Sequence, residues 1–379
     1  MKNNIPITTP FFDEKELQKV KECLESGWVT QGPMVQQFEN EFRKVHNSEY
    51  AVAVSSCTAA LHIAMLALGI KRGDEVIVPA YTWITSASCV EYVGADVRFV
   101  DVVKDTMNID PDKIEEAITN KTKAIVAVHL FGNPANMDEI MDIARRHGLY
   151  VIEDCACAIG TSYKGKKVGT IGNIGCFSFH PRKAITTGEG GMCSTDDRQL
   201  FEKLLQYRNH GASVVRKGAE YGKPYYMGIY DDVGYNLRLS DIQAAVGIAQ
   251  FDKLDRLLKD RKNSAEYYIE KLKDNDQLII PAAAPGFGHT YQSFVILIKS
   301  GDRKLRNNIM DKMQSEGIQT RPGTIAITRT EFNRNKYGIS DGAYPVAEFC
   351  EDTSITLPIY PFMERAEQDR VIELLCEEL

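Results

Sequence analysis

From Tyr50 to Ser194, short apolar runs alternate with amphipathic ones. "AVAVS", "DEVIVP", "VRFVDV", "KAIVAVHL" and "YVIEDC" have the length and β-branched content of buried strands, whereas "TAALHIAMLAL", "DKIEEAI" and "MDEIMDIARRH" carry helical spacing. Near-continuous apolar strands separated by helices predict an α/β fold with a mostly parallel sheet covered on both faces. "CFSFH" and "GGMCST" add two strands after a loop-rich interval. Helical pattern then dominates over 197–208 and in a long run over 239–272. Beyond it, "TYQSFVILI" reads as a strand, "KLRNNIMDKMQSEG" as a helix with its glycine stop, and "AEQDRVIELLCEEL" as a terminal helix. This change of pattern divides the chain into a large domain, 1–250, and a smaller α+β domain, 251–379.

Composition narrows the classes. The 379 residues are 44% hydrophobic and 26% charged, enough to build a large core. A formal net charge of −7 gives no electrostatic reason to expect nucleic acid or an anionic membrane as partner. "MKNNIPITTPFFDEKELQ" lacks the apolar segment of a signal peptide, and no run of about 18 apolar residues suits a membrane span. Nine cysteines without framework spacing fit free thiols, so a cytoplasmic location is expected.

Four stretches carry candidate chemistry. In "SFHPRKAITTGEGG", Lys183 follows a strand ending at Ser178 and precedes a glycine-rich turn. A solvated loop lysine is the ordinary reading; the alternative is an amine that forms a Schiff base with a carbonyl. In "VIEDCACAIG", Glu153 and Asp154 end a strand at the sheet edge where α/β folds hold ligands. They either cap a turn or set a carboxylate against a cationic ring nitrogen. "VSSCTAALHIA" leads a strand into a helix through small hydroxyl residues, which serve as N-caps or leave free amides for a phosphate. In "PAYTWITSAS", Trp83 is either core or a platform for a flat ring. Two motifs carry nothing. "GTIGNIG", 169–175, precedes a strand instead of joining strand to helix, so it fails as a dinucleotide loop. Cys155 and Cys157 have no second pair at zinc spacing, so no metal is expected.

Taken in order, "SGWVTQGPMVQQFE", "SSCTAALH", "PAYTWITSA", "VHLFGNPANM", "VIEDCACAIG", "SFHPRKAITTGEGGM", "GYNLRLSDIQAAVGIAQ" and "TLPIYPFM" resemble the DegT/DnrJ/EryC1/StrS sugar aminotransferases. These are pyridoxal-phosphate (PLP) enzymes of the fold-type I, aspartate-aminotransferase-like class. The resemblance spans nearly the whole chain. It implies transfer of an amino group, with L-glutamate as donor, to a nucleotide-linked ketosugar, as in perosamine-type 4-amination or in 3-amination. It also implies a homodimer with shared active sites. By position, Lys183 matches the Schiff-base lysine and proton shuttle, and Asp154 the carboxylate at the pyridinium nitrogen. Thr58, Ser178 and the backbone from Cys57 to Ala59 match the phosphate cradle, and Trp83 the ring-stacking aromatic. Asn236 matches an asparagine reaching the phosphate of the neighbouring subunit's cofactor.

Two positions depart from the family pattern. Cys157 stands where relatives usually carry Gln, His or Glu, on the ring face opposite Trp83. "TRPGTIAIT" resembles a substrate loop of perosamine-synthase-like relatives, with Arg321 as its substrate-binding candidate. Ile325 and Thr328 stand there in place of histidines. Two other functions belong to the same resemblance: a sugar dehydratase, whose known forms replace the lysine with histidine, and a non-catalytic regulator binding PLP or a sugar nucleotide. Lys183 and Asp154 both count against the regulator, and Lys183 counts against the dehydratase.

Overall fold

The structure, a computed structural model, describes residues 4–213, 223–281 and 283–379. A seven-stranded sheet forms its centre, with strands β1 (Tyr50–Val54), β2 (Glu75–Pro79), β3 (Asp96–Val100), β4 (Thr122–Val128), β5 (Tyr150–Cys155), β6 (Ile174–Ser178) and β7 (Gly191–Thr195). Their spatial order is β1-β7-β6-β5-β4-β2-β3. Only β7 runs antiparallel to its neighbours; the other pairings are parallel. The α/β fold with a mostly parallel sheet is therefore as the pattern predicts. Burial explains why the pattern is legible. Central β4 is buried at all positions but Lys123, so it reads as one apolar run. Edge strand β3 alternates exposed Asp96 and Arg98 with buried Val97 and Phe99.

Helices cover both faces. Two that the pattern reading did not anticipate precede β1: α1 (Glu14–Glu25), opened by an Asp13/Glu16 capping box, and α2 (Pro33–His46), with proline in its first turn. On one face α2 packs with α5 (Met137–His147) and α7 (Asp241–Phe251), through Phe38, Phe42, Ile140 and Ile248. On the other face lie α3 (Cys57–Ala67), α4 (Thr85–Tyr92) and α6 (Arg198–Arg208), through Leu61, Ile63, Cys89 and Leu204. "DKIEEAI" forms only one α turn, Ile114–Ala117, after a 3-10 turn at Pro111–Lys113. The run over 239–272 is two helices, α7 and α8 (Leu254–Leu272), parted where Lys253 turns its ammonium toward Asp13 at 3.1 Å.

A second, antiparallel sheet joins β8 (Leu278–Ile279), β9 (Phe294–Ile298) and β10 (Ser354–Leu357). Its core includes residues of α8, α9 (Arg303–Ser315) and α10 (Arg365–Glu378), and takes in Ile5 from the other end of the chain. The Ile5 amide donates to the Gly317 carbonyl at 2.9 Å. Conversely, Ile325 and Ala326 pair with Tyr81 and Thr82, and Ala347 and Cys350 join the core of the seven-stranded sheet. The two sheets are thus tied together around the carboxyl edge of the larger one.

Candidate active site

A cavity of about 390 Å³ opens at the carboxyl ends of the parallel strands. Of the residues expected in the site, Cys57, Thr58, Trp83, Asp154, Cys157, Ser178, Lys183 and Arg321 line it. This is the place a parallel α/β sheet offers a ligand, because strand ends and helix starts converge there.

Lys183 owes its position to the turn around it. Its amide donates to the His180 carbonyl at 2.8 Å, while Thr187 N–H and the Thr186 hydroxyl both donate to the Phe179 carbonyl, at 3.0 and 2.7 Å. Gly188 supplies a φ of +83°. Gly191 is needed for a different reason: a Cβ there would lie 2.4 Å from the Ser56 carbonyl carbon, so β7 can approach the start of α3 only without a side chain. The amine of Lys183 ends 3.3 Å from the Cys157 sulfur, both groups partly buried.

Asp154 and Glu153 share a strand but serve opposite faces. Asp154 lines the cavity; one oxygen accepts the Ser86 hydroxyl at 2.8 Å and the other the Ala156 N–H at 3.1 Å. Glu153 is fully buried and accepts from the amides of Gly169, Ile171 and Gly172 at 2.8, 2.8 and 2.6 Å. The glycine-rich "GTIGNIG" segment is thus an anion cradle after all, for the protein's own carboxylate. His129 completes it: Nδ1 accepts the Ala135 N–H at 3.1 Å, so Nε2 carries the proton and donates to Glu153 at 2.9 Å. Burial by itself would raise the Glu153 carboxyl, but His129 and the amides hold it below its ordinary value. His129, Glu153 and Cys155 lie close enough together to suggest a metal site. Four donors already occupy Glu153, however, and burial keeps the Cys155 thiol protonated, so the group is a closed hydrogen-bond network.

At the start of α3, Ser56 caps the helix, its hydroxyl accepting the Ala59 N–H at 3.1 Å. Ala59 does not line the cavity and its amide is engaged, so the amides of Cys57 and Thr58 are the ones at the positive end of the helix dipole. Trp83, 59% exposed, stands at the mouth. Asn236 is exposed and bridges to Asn209, outside this cavity. Within "TRPGTIAIT", Arg321, Gly323 and Thr324 line the cavity, whereas Ile325 pairs with Thr82 and Thr328 is buried. Ser86, Arg182 and Gln292 belong to the site and were missed. Arg182 and Ser86 fall inside two of the candidate stretches, "SFHPRKAITTGEGG" and "PAYTWITSAS", but nothing local sets them apart from their neighbours, whereas Gln292 lies outside all four stretches and is delivered by tertiary packing.

The cavity fits a phosphorylated pyridine aldehyde. It is lined by an amine, a carboxylate with a fixed hydroxyl partner, the first residues of a helix, the Ser178 hydroxyl and an exposed tryptophan. Fold and site define an aminotransferase of the PLP class. The chain belongs to the DegT/DnrJ/EryC1/StrS aminotransferase family, whose sequence profile matches residues 10–376. It is 38% identical to GDP-perosamine synthase of Escherichia coli O157:H7, covering 98% of each chain. It is 36% identical to the spore coat polysaccharide biosynthesis protein SpsC of Bacillus subtilis, covering 97% of this chain and 95% of SpsC. Among solved structures, Spr1654 of Streptococcus pneumoniae in its PMP-form (pyridoxamine phosphate) superposes with a TM-score of 0.93 at 27% identity, covering 99% of this chain and 98% of that one. Its PLP-form superposes with a TM-score of 0.92 at 27% identity, covering 100% of each chain. The protein is a PLP-dependent sugar aminotransferase. Among the described residues no helix is long and apolar enough to cross a membrane.

Proposed function

We propose that the enzyme transfers an amino group from L-glutamate to a nucleotide-linked ketosugar in amino-sugar biosynthesis, as a cytoplasmic homodimer with shared active sites. The observation that carries this reading is the placement of the Lys183 amine and the Asp154 carboxylate in one cavity that Arg182 and Arg321 also line. Bound there, PLP supplies the electron sink for carbanion chemistry next to nitrogen.

The chain's own residues do the rest. The Cys57 and Thr58 amides and the Ser178 hydroxyl hold the phosphate. Asp154, oriented by Ser86, holds a proton on the ring nitrogen. Lys183 binds the aldehyde carbon, and its Nζ moves the proton at the donor's α-carbon and, in the second half-reaction, at the sugar carbon bearing the new nitrogen. Trp83 and Cys157 are the side chains available to the ring faces. Burial, and then the nearby Arg182, lower the Arg321 guanidinium; the two arginines, which share the cavity lining with Glu189, suit an anionic substrate.

Protein loaded with pyridoxamine phosphate should be challenged with dTDP-, UDP- and GDP-linked ketosugars. Return of the aldehyde cofactor's absorbance with one of them would identify the acceptor and its nucleotide; failure with every one would refute the sugar assignment.

A further inference from the structure

Arg261, in the middle of α8, has a relative exposure of 1%. A buried guanidinium is costly unless something is gained from it. Burial pushes it down to about 10, and no carboxylate offsets that effect. What it touches is informative. One terminal nitrogen, Nη1, donates to two backbone carbonyls, Gln292 at 3.0 Å and Ile359 at 3.1 Å. These residues come from separate crossings of the small-domain wall, and both line the active-site cavity. The side chain of Gln292 continues the chain of contacts. Its Nε2 donates to the carbonyl of Arg182 at 2.7 Å, while its Oε1 accepts the Ser293 hydroxyl at 3.1 Å. The Arg182 carbonyl can only accept, so the amide nitrogen is the end that faces the lysine loop. Arg182 is the residue immediately before Lys183, and the Lys183 turn has its other anchors on the large-domain side, at His180 and Phe179.

We propose that Arg261 is a positioning residue for Lys183 that acts through Gln292, clamping the small-domain wall of the cavity to the lysine-bearing turn. The proposal rests on Lys183 being the residue that binds the cofactor. The physical argument is directional. The two N–H groups of Nη1, held in the guanidinium plane, fix two carbonyls at once, which a freely rotating lysine ammonium does with less geometric control. With its backbone pinned, Gln292 can hold only one strip of the lysine loop, and the amine at the end of Lys183 inherits that placement. Misplacement of a reacting group by a fraction of an ångström lowers the rate without unfolding the protein.

The test uses the PLP-loaded enzyme and the variants Gln292→Ala, Arg261→Lys and Arg261→Met. First, borohydride reduction of the wild type should attach the cofactor to the peptide containing Lys183; absence of that label would overturn the lysine assignment and the proposal with it. Then two quantities are read in each folded variant: the pH titration of the bound cofactor's visible absorbance, and the single-turnover rate with the amino donor. In Gln292→Ala the absorbance titration should shift and the single-turnover rate should fall about tenfold, the size of one lost, well-placed hydrogen bond. Arg261→Lys should retain part of the rate and Arg261→Met should resemble Gln292→Ala. A wild-type titration and rate in Gln292→Ala, or in a folded Arg261 variant, would overturn the proposal; if Arg261→Met does not fold, Arg261→Lys carries that arm, and Gln292→Ala tests the link to the lysine loop with the buried guanidinium and both carbonyls in place.

Discussion

The amine of Lys183 rests 3.3 Å from the sulfur of Cys157, across the cavity floor between the β6 loop and the end of β5. Lys183 should carry the cofactor covalently, so Lys183→Ala should lose both borohydride labelling and turnover, since one change removes the imine-forming amine and the proton carrier. Cys157 is the partner of least consequence. Cys157→Gln should stay within about threefold of wild-type turnover, the scale of a neutral contact worth under about 1 kcal/mol. Stoichiometric metal lost in that variant would contradict this account of the thiol.

Asp154 should tune the ring more than it retains it. Asp154→Asn keeps the shape and the phosphate contacts but loses the charge-assisted hydrogen bond, which is roughly twice as strong as a neutral one. Bound cofactor should therefore remain visible in the purified variant while turnover falls by about two orders of magnitude or more. Ser86→Ala, which frees one Asp154 oxygen, should show a weaker loss of the same kind. Near-normal turnover in Asp154→Asn would remove the electron-sink role.

Acid should destabilise the fold through buried neutral histidines. His46 Nδ1 faces the Val168 carbonyl at 3.3 Å, and Nε2 accepts the Gly160 N–H at 3.4 Å, so the neutral ring is satisfied on both sides. Burial lowers His46 from 6.5 to about 3, and His289 likewise. Between these values the unfolded chain binds protons that the folded chain refuses, so stability falls as pH drops below 6.5 and continues to fall toward about 3. Each such histidine contributes a slope of about 1.4 kcal/mol per pH unit inside that window. Urea titrations at several pH values should show the slope, and His46→Gln should reduce it by one proton. An identical slope in that variant would show that His46 does not titrate on unfolding.

Asn236 is exposed and outside its own chain's cavity, which suits the proposal that it serves the partner's site. A mixed dimer of Lys183→Ala and Asn236→Asp chains tests this directly. If Asn236 acts across the interface, both defects fall on one site, the other is intact, and about half of wild-type activity should return, as additivity of independent sites requires. No recovery, with subunit exchange confirmed and Asn236→Asp inactive alone, would place Asn236 in its own chain's site or in none.

The sequence by itself determined the sheet and the chemistry of its edge. Strands such as Thr122–Val128 are buried on both faces and so write an unbroken apolar signal, and Lys183 stands out because glycines and threonines crowd its turn. The start of α3 was legible for the same local reason, as Ser56 caps the helix within a few residues. What the local pattern lacked, only the tertiary structure decided. Helices α1 and α2 bury narrow stripes against distant partners. Glu153 and Asp154 are neighbours in sequence with opposite fates, set by which face of the sheet each side chain meets: one fully hydrogen-bonded by the amides of Gly169, Ile171 and Gly172, one left facing the cavity. The long helical run is interrupted at Asp252 and Lys253, where the Lys253 ammonium meets Asp13 and Glu16, more than two hundred residues away. Arg261 and Gln292 join the site only because two crossings of the small domain meet the lysine loop. Periodicity records how much of a residue is buried, whereas the identity of its partners depends on contacts between segments far apart in the chain, and no local pattern encodes those.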